Sequence, residues 1–335
     1  MLQLKNSTPF AASLALMPDA DGVDTMFAVV KGTFTLGATP QIASAQLPVT
    51  MAPEYWGDPA LSSIKLAADV SLAKPSTDVL LIGSAWAPNG RAVSEMMVAL
   101  QVGGFQHVAR VFGDRVWRAS GVGYAMTAAR PFTSMPLTWE RAFGGREETR
   151  GGPTEDPRNP VGVGFRSPDG IHSPDLAQVP NVEDPARPMS SWTDRPVPVG
   201  FAPLGAHWMP RRLYAGTYDE QWQSERAPYL PTDFDSRFLQ LAPPPLISPA
   251  YLVGGEPVAL HGFSPLGALV FPLPTVDLAV EFVLGASPER RPAYLDTVTF
   301  ESDAERFSMV WRATYPCDKK ALKVSEVRLT LLSLS

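Results

Sequence analysis

The sequence predicts a mainly β protein: antiparallel, sandwich-like sheets, a long irregular centre rich in proline and glycine, and few short helices. Three observations carry that prediction. Apolar and polar residues alternate with period two in the first and last thirds of the 335 residues, the pattern of a strand with one face on a core. A Gly103-Gly104 pair sits between two such runs and can supply the positive φ of a tight hairpin loop. The 35 prolines, about twice the usual share of roughly 5%, leave little room for long helices.

In chain order, residues 26–36 put Met26, Ala28, Val30, Phe34 and Leu36 on one face and Lys31, Thr33 and Thr35 on the other, a half-buried strand. Residues 79–86 form an apolar run closed by Pro88-Asn89-Gly90, which reads as a more central strand followed by a turn. Residues 93–102 and 105–112 flank the two glycines. Gly113-Asp114-Arg115 then turns the chain into Val116-Trp117-Arg118, completing a three-stranded meander. From 131 to 245 the periodicity fades. Only 214–226 looks helical, with Tyr214, Tyr218 and Trp222 four apart on a face that reads as core, and Pro228 at its end. Pro243-Pro244-Pro245 reads as a stiff polyproline segment at a boundary.

Strands return in the last third. Val276, Leu278, Val280, Phe282 and Leu284 alternate with Asp277 and Glu281. Residues 298–300 and 307–311 flank a polar loop with Glu301, Asp303 and Glu305, a second hairpin. Val327, Leu329 and Leu331 form the face of a final strand. The domain reading is an N-terminal antiparallel region over 1–130, an irregular centre with one short helix over 131–245, and a C-terminal β region over 246–335 able to share a core with the first.

Composition narrows the function. A net charge of −6 with no clustered Lys/Arg surface disfavours nucleic acid and membrane surfaces as partners. Cys317 is the single cysteine, so no intrachain disulfide is possible, and a buried small hydrophobe is expected. The apolar run 10–17 follows a polar Asn6-Ser7-Thr8-Pro9 break and lacks a clear cleavage pattern, so mature sequence is expected. Pro265, Pro272, Pro274 and Asp277 interrupt the best spanning candidate, and a soluble, cytoplasmic chain is expected.

The densest set of conformationally special residues is 137–165. Gly144, Gly145, Gly151, Gly152, Gly162 and Gly164 permit positive φ and close backbone approach, while Pro153, Pro157 and Pro160 fix φ, so the path is set without helix or sheet. Asp156 and Asn159, each before proline, carry turn-forming side chains. Trp139 and Phe143 are candidate anchors. Glu140 and Arg141 form a candidate charge pair, with the Arg141 guanidinium suited to satisfying loop carbonyls. A structural brace is favoured over a direct binding loop. Asp233 and Asp235 would share a face of an extended segment as paired acids or metal ligands, yet Arg226 and Arg237 favour ion pairing. His172 with Asp169 and Asp175 reads as a surface turn before it reads as a site, and His107 as a satisfied strand histidine. No zinc, calcium, Walker or nucleophile-elbow motif is present.

Several separated patches together resemble a known family: Asn6–Ala12, Val29–Phe34, Lys74–Pro88, Gly113–Trp117, LTWERAFGG (137–145), NPVGVGF (159–165), Arg226–Phe238 and Trp311–Cys317. In these the chain is similar to the bacterial domain-of-unknown-function 2169 family, whose genes accompany type VI secretion spike and effector genes. The resemblance implies a cytoplasmic adaptor or chaperone that binds an effector and helps load it onto the spike protein VgrG. It implies no cofactor and no established catalytic residues, and no metal ligand is assigned. Ala313 stands where glycine is more usual, and the end at Ser335 without an appended toxin segment fits a stand-alone loader. The competing readings are a metal-dependent hydrolase using His172, Asp175 and Asp233 in a central cleft, and a small-ligand-binding module.

Overall fold

The computed structural model describes residues 2–285 and 287–335, with their side chains except those of residues 319 and 320. Strands hold 43% of residues and helices 9%, so the chain is mainly β. Three sheets carry the architecture. The first runs Ala11–Pro18, Asp24–Thr35, Arg306–Pro316, Tyr294–Glu301, Asp78–Ile82, antiparallel except for its last pair. The second is antiparallel throughout, in the order Val182–Glu183, Phe105–Phe112, Glu95–Val102, Pro257–His261, Leu269–Pro272. The third runs Gln3–Ser7, Val324–Leu334, Val276–Leu284, Ser287–Arg291, with Gln3–Ser7 parallel to its neighbour.

Aromatic side chains join these sheets. Phe34 stacks on Phe307 with centroids 5.3 Å apart, and Phe271 of the second sheet meets Phe307 at 5.6 Å and Phe300 at 6.2 Å. Phe282 of the third sheet stacks on Tyr315 of the first at 5.1 Å. Each fully buried ring contributes about 1.5–3 kcal/mol. The hydrophobic cluster that results takes in Phe10, Trp139, Phe201 and Phe300, drawing on every third of the chain.

Both predicted hairpins form. Glu95–Val102 and Phe105–Phe112 close over Gly103 at φ 54°, and Tyr294–Glu301 and Arg306–Pro316 close over a 3-10 turn at Ser302–Ala304. Other expectations fail for tertiary reasons. The strand Asp24–Thr35 is buried on both faces, not one. The segment after it folds back, so Lys31 Nζ pairs with Asp69 at 2.9 Å and Thr33 bonds Gln46 at 2.8 Å. The 79–86 run breaks at Gly83 into Asp78–Ile82 and Ser84–Trp86. Asp78–Ile82 is an outer strand, buried because loops cover its edge, with Leu81 N donating to Phe201 O at 3.0 Å.

The meander does not form either. Arg115–Ser120 leaves the second sheet to pair with Gly123–Met126 and Gln178–Val179, and Val182–Glu183 takes the place beside Phe105–Phe112. The helix shrinks to Glu220–Glu225, capped by Asp219 accepting from Trp222 N. Its aromatic face is not core: Tyr218 is 54% exposed and packs edge-on against the Trp222 ring at 4.7 Å. Pro243-Pro244-Pro245 is no extended spacer, because Pro244–Leu246 form a 3-10 turn with Leu246 buried. Among the described residues no helix is long and apolar enough to cross a membrane.

Candidate functional site

Residues 137–165 fold as short regular pieces, contrary to the expectation of neither helix nor sheet. Trp139–Arg141 make a 3-10 turn, Phe143–Gly144 pair in parallel with Val163–Gly164, and Arg146–Thr149 form a hairpin with Gly152–Glu155. Close approach of backbones explains the glycines. Gly144 has φ 142°, and a Cβ there would lie 2.1 Å from Asn159 O. Gly145 stands against Gly162 O and Gly164 against the Pro180 ring. Gly162 is constrained by space and not by φ, since its Cβ would fall 2.4 Å from Asn159 Nδ2 and 2.7 Å from Ala142 O.

The brace at the centre is Asn159, fully buried. Its Nδ2 donates to Trp139 O at 2.8 Å and to Phe143 O at 2.9 Å, and its own carbonyl accepts from Gly145 N at 2.8 Å. Arg141 does not satisfy the loop carbonyls. Its Nη1 donates to Asn181 Oδ1 at 3.1 Å and faces Asp114 at 3.6 Å. Glu140 does not pair with Arg141; its carboxylate accepts from Ser63 N and Oγ at 2.7 and 3.0 Å. Trp139 points into the core, where Nε1 donates to the carbonyls of Ala202 and Pro203, each at 3.1 Å. Phe143 is buried in a smaller cluster with Trp117, Val179 and Met189.

The other candidates are each taken up by local bonds. Asp233 makes no ion pair with Arg226; it accepts from Thr217 N and Oγ1 at 2.9 and 2.7 Å, bonds that hold its carboxyl below the usual range. Asp235 pairs with Arg237 at 2.5 Å and caps the turn Ser236–Leu239, and that pairing holds its carboxyl low as well. Arg226 donates instead to the carbonyls of Leu230 and Ala20, each at 2.8 Å. Asp175 accepts from Ala119 N at 2.8 Å, and His172 is exposed. Among the described residues no group of three or more His, Cys, Asp or Glu is placed to hold a metal ion.

What the sequence did not reveal is a cleft of about 710 Å³ beside the brace. Its floor is Trp139 with His107 and Val108 of the second sheet, one wall is Val197–Val199, and the other is Pro243–Pro245. Arg158 reaches its rim from the brace loop while held by Asp156 at 2.6 Å. His107 is not the satisfied strand histidine expected. Its ring packs on Phe201 at 4.9 Å and its Nε2 is buried with no partner among the described residues. Burial lowers its pKa to about 4, against the opposing pull of a backbone bond at Gly200 and the charge of Asp184, so the imidazole is neutral at pH 7. The three prolines were the one legible trace of this wall, and as a tripeptide they point to a spacer as readily as to a binding surface.

A family model described as an uncharacterized protein conserved in bacteria (DUF2169) matches residues 21–312. The chain belongs to this family. The DUF2169 match takes in the brace, the cleft, the whole second sheet and most of the first, while the edge strand Ala11–Pro18 and the last residues of Arg306–Pro316 in the first sheet, and Gln3–Ser7 and Val324–Leu334 of the third, lie outside it. No curated protein and no solved structure matches the chain.

Proposed function

We propose that this chain is a type VI secretion adaptor that binds a cognate effector and helps load it onto a VgrG-type spike. The observation that carries this reading is the open apolar cleft set in a frame of buried glycine and asparagine contacts. Proline and valine walls lose little side-chain entropy when a partner covers them, and a pre-formed groove avoids the cost of ordering a loop. A volume of about 710 Å³ holds a few side chains of an inserted segment. The exposed Tyr218 and the adjacent Trp222 give a further apolar surface for the same class of partner. The same volume suits a drug-sized molecule, which makes a small-ligand module the second reading.

Co-expression with the effector and spike encoded nearest its gene tests the proposal. The effector is expected to co-purify with the chain and to lose secretion without it. Val197→Asp, at a groove position 57% exposed, should leave the fold intact and weaken co-purification about tenfold by placing an unpaired charge in the interface. An effector that is equally soluble, abundant and secreted without this chain refutes the adaptor reading.

A further inference from the structure

A second cavity, of about 300 Å³, lies behind the first. Trp208 lines it and Trp139 lines the cleft, and the two rings meet edge-to-face at 5.8 Å, so the indoles form a shared partition. The walls of this second cavity are mostly apolar, with Pro53, Ile64, Ala68, Phe238 and Leu241 among them, and one strong charge stands in them, Arg211.

Arg211 is 8% exposed and is only partly satisfied. Nε donates to Phe238 O at 3.0 Å and Nη1 to Leu204 O at 2.6 Å, leaving Nη2 with no acceptor among the described residues. It forms no ion pair among them either. Asp78 is the carboxylate whose charge reaches it without bonding it: Asp78 Oδ2 takes Lys74 at 2.8 Å and Leu241 N at 2.8 Å, and Oδ1 is buried with no partner among the described residues. Taken together, Lys74, Asp78 and Arg211 leave one buried positive charge uncompensated. Desolvation accordingly pushes the Arg211 guanidinium down to about 10. An arginine so placed is costly to the fold unless an anion completes it. His207 also lines the cavity, its Nε2 accepting from Trp208 Nε1 at 3.0 Å.

We propose that the Arg211 cavity is a binding site for a carboxylate that carries a short apolar chain. One uncompensated cation balances one monoanion, which favours carboxylate over a phosphate dianion. The planar guanidinium accommodates carboxylate oxygens, and the apolar walls take up the chain. The same group occurs on a free short-chain acid and on the C-terminal residue of a polypeptide. This site is distinct from the adaptor cleft, and its test does not use an effector.

Hexanoate and its neutral isostere hexanamide are titrated into the full-length protein by calorimetry, with tryptophan fluorescence reporting on Trp208. Hexanoate is expected to bind saturably and hexanamide at least tenfold more weakly. Arg211→Met is expected to abolish the preference for the acid. Because that change also removes two bonds to backbone carbonyls, Ala68→Phe serves as a second variant that fills the cavity with Arg211 in place, and it is expected to abolish hexanoate binding. N-acetyl-glycyl-leucine and its C-terminal amide separate the sources: acid-selective binding tighter than hexanoate assigns the site to a polypeptide terminus, and weaker binding assigns it to a free acid. Equal affinity for hexanoate and hexanamide, unchanged binding in Ala68→Phe, or no saturation by any of the acids overturns the proposal.

Discussion

Replacing Asn159 with aspartate changes shape hardly at all and reverses the chemistry of the brace. The Asn159 amide gives one proton to Trp139 O and another to Phe143 O, at 2.8 and 2.9 Å, from a position with no solvent exposure. A carboxylate has no proton to give, and its oxygens would face two carbonyl oxygens without a cation. Two net hydrogen bonds account for about 2 kcal/mol, and a buried unpaired charge for about 3–5 kcal/mol. Asn159→Ala removes the bonds without adding the charge, and Ala142 N still serves Trp139 O at 3.2 Å, so about 2–3 kcal/mol is expected for it. Over a chain of 335 residues a loss of 3 kcal/mol lowers Tm by about 4 °C.

Thermal unfolding followed by near-ultraviolet circular dichroism should therefore rank the proteins as wild type, then alanine, then the isosteric aspartate. The sign of the pH effect is also set. Burial raises the carboxyl pKa of the aspartate variant, so its deficit is present at pH 7 and shrinks as pH falls toward 5, where the protonated acid can donate one hydrogen bond. An aspartate variant that melts with the wild type at pH 7, or above the alanine variant, refutes the donor role assigned to Asn159.

Gly144→Ala should unfold the loop or the whole chain, because its Cβ would sit 2.1 Å from a backbone oxygen, whereas Gly152→Ala, at φ 108° with nothing within 4 Å, should meet backbone strain alone and cost about 1–3 kcal/mol in a urea melt. His107 has a folded pKa of about 4 against a usual 6.5, so the folded state binds fewer protons between those values. Stability is expected to be complete above pH 6.5 and to fall by on the order of 3 kcal/mol as pH drops to 4. His107→Gln should flatten that part of the profile in pH-dependent urea melts, and an unchanged slope would count against the buried neutral imidazole. Lys74→Met takes the bonded cation from the buried carboxylate of Asp78 and leaves it only the unbonded charge of Arg211, so it should cost about 3 kcal/mol in the same urea assay, with full stability in Lys74→Met the contrary result.

How much of this was legible in the residues varies with the range of the interaction. Both hairpins were, since a glycine loop or a short polar turn lies next to the strands it joins, and the alternation at 276–284 and 327–331 marks faces that the fold does bury. The glycine-rich stretch was visible as a special backbone, but the residue that holds it was not singled out from its neighbours. Asn159 works through partners 16 and 20 positions away, whereas the conspicuous Glu140 and Arg141 turn to Ser63 and Asn181. Arg211 stood in the sequence as one of a surface-like Arg-Arg pair, and only its burial sets it apart.

Local pattern by itself determined that the chain would be β-rich, proline-limited and short of helix, because period-two alternation and missing amide donors act within a few residues. Tertiary structure alone decided which strands became neighbours, as when Asp78–Ile82 lies parallel to Tyr294–Glu301 and Arg115–Ser120 abandons the hairpin before it. It also decided which charges lost their water, and so produced the cleft over His107 and an Arg211 with no ion pair among the described residues. Pairing and desolvation depend on what the rest of the chain places alongside a segment, and composition carries no record of that.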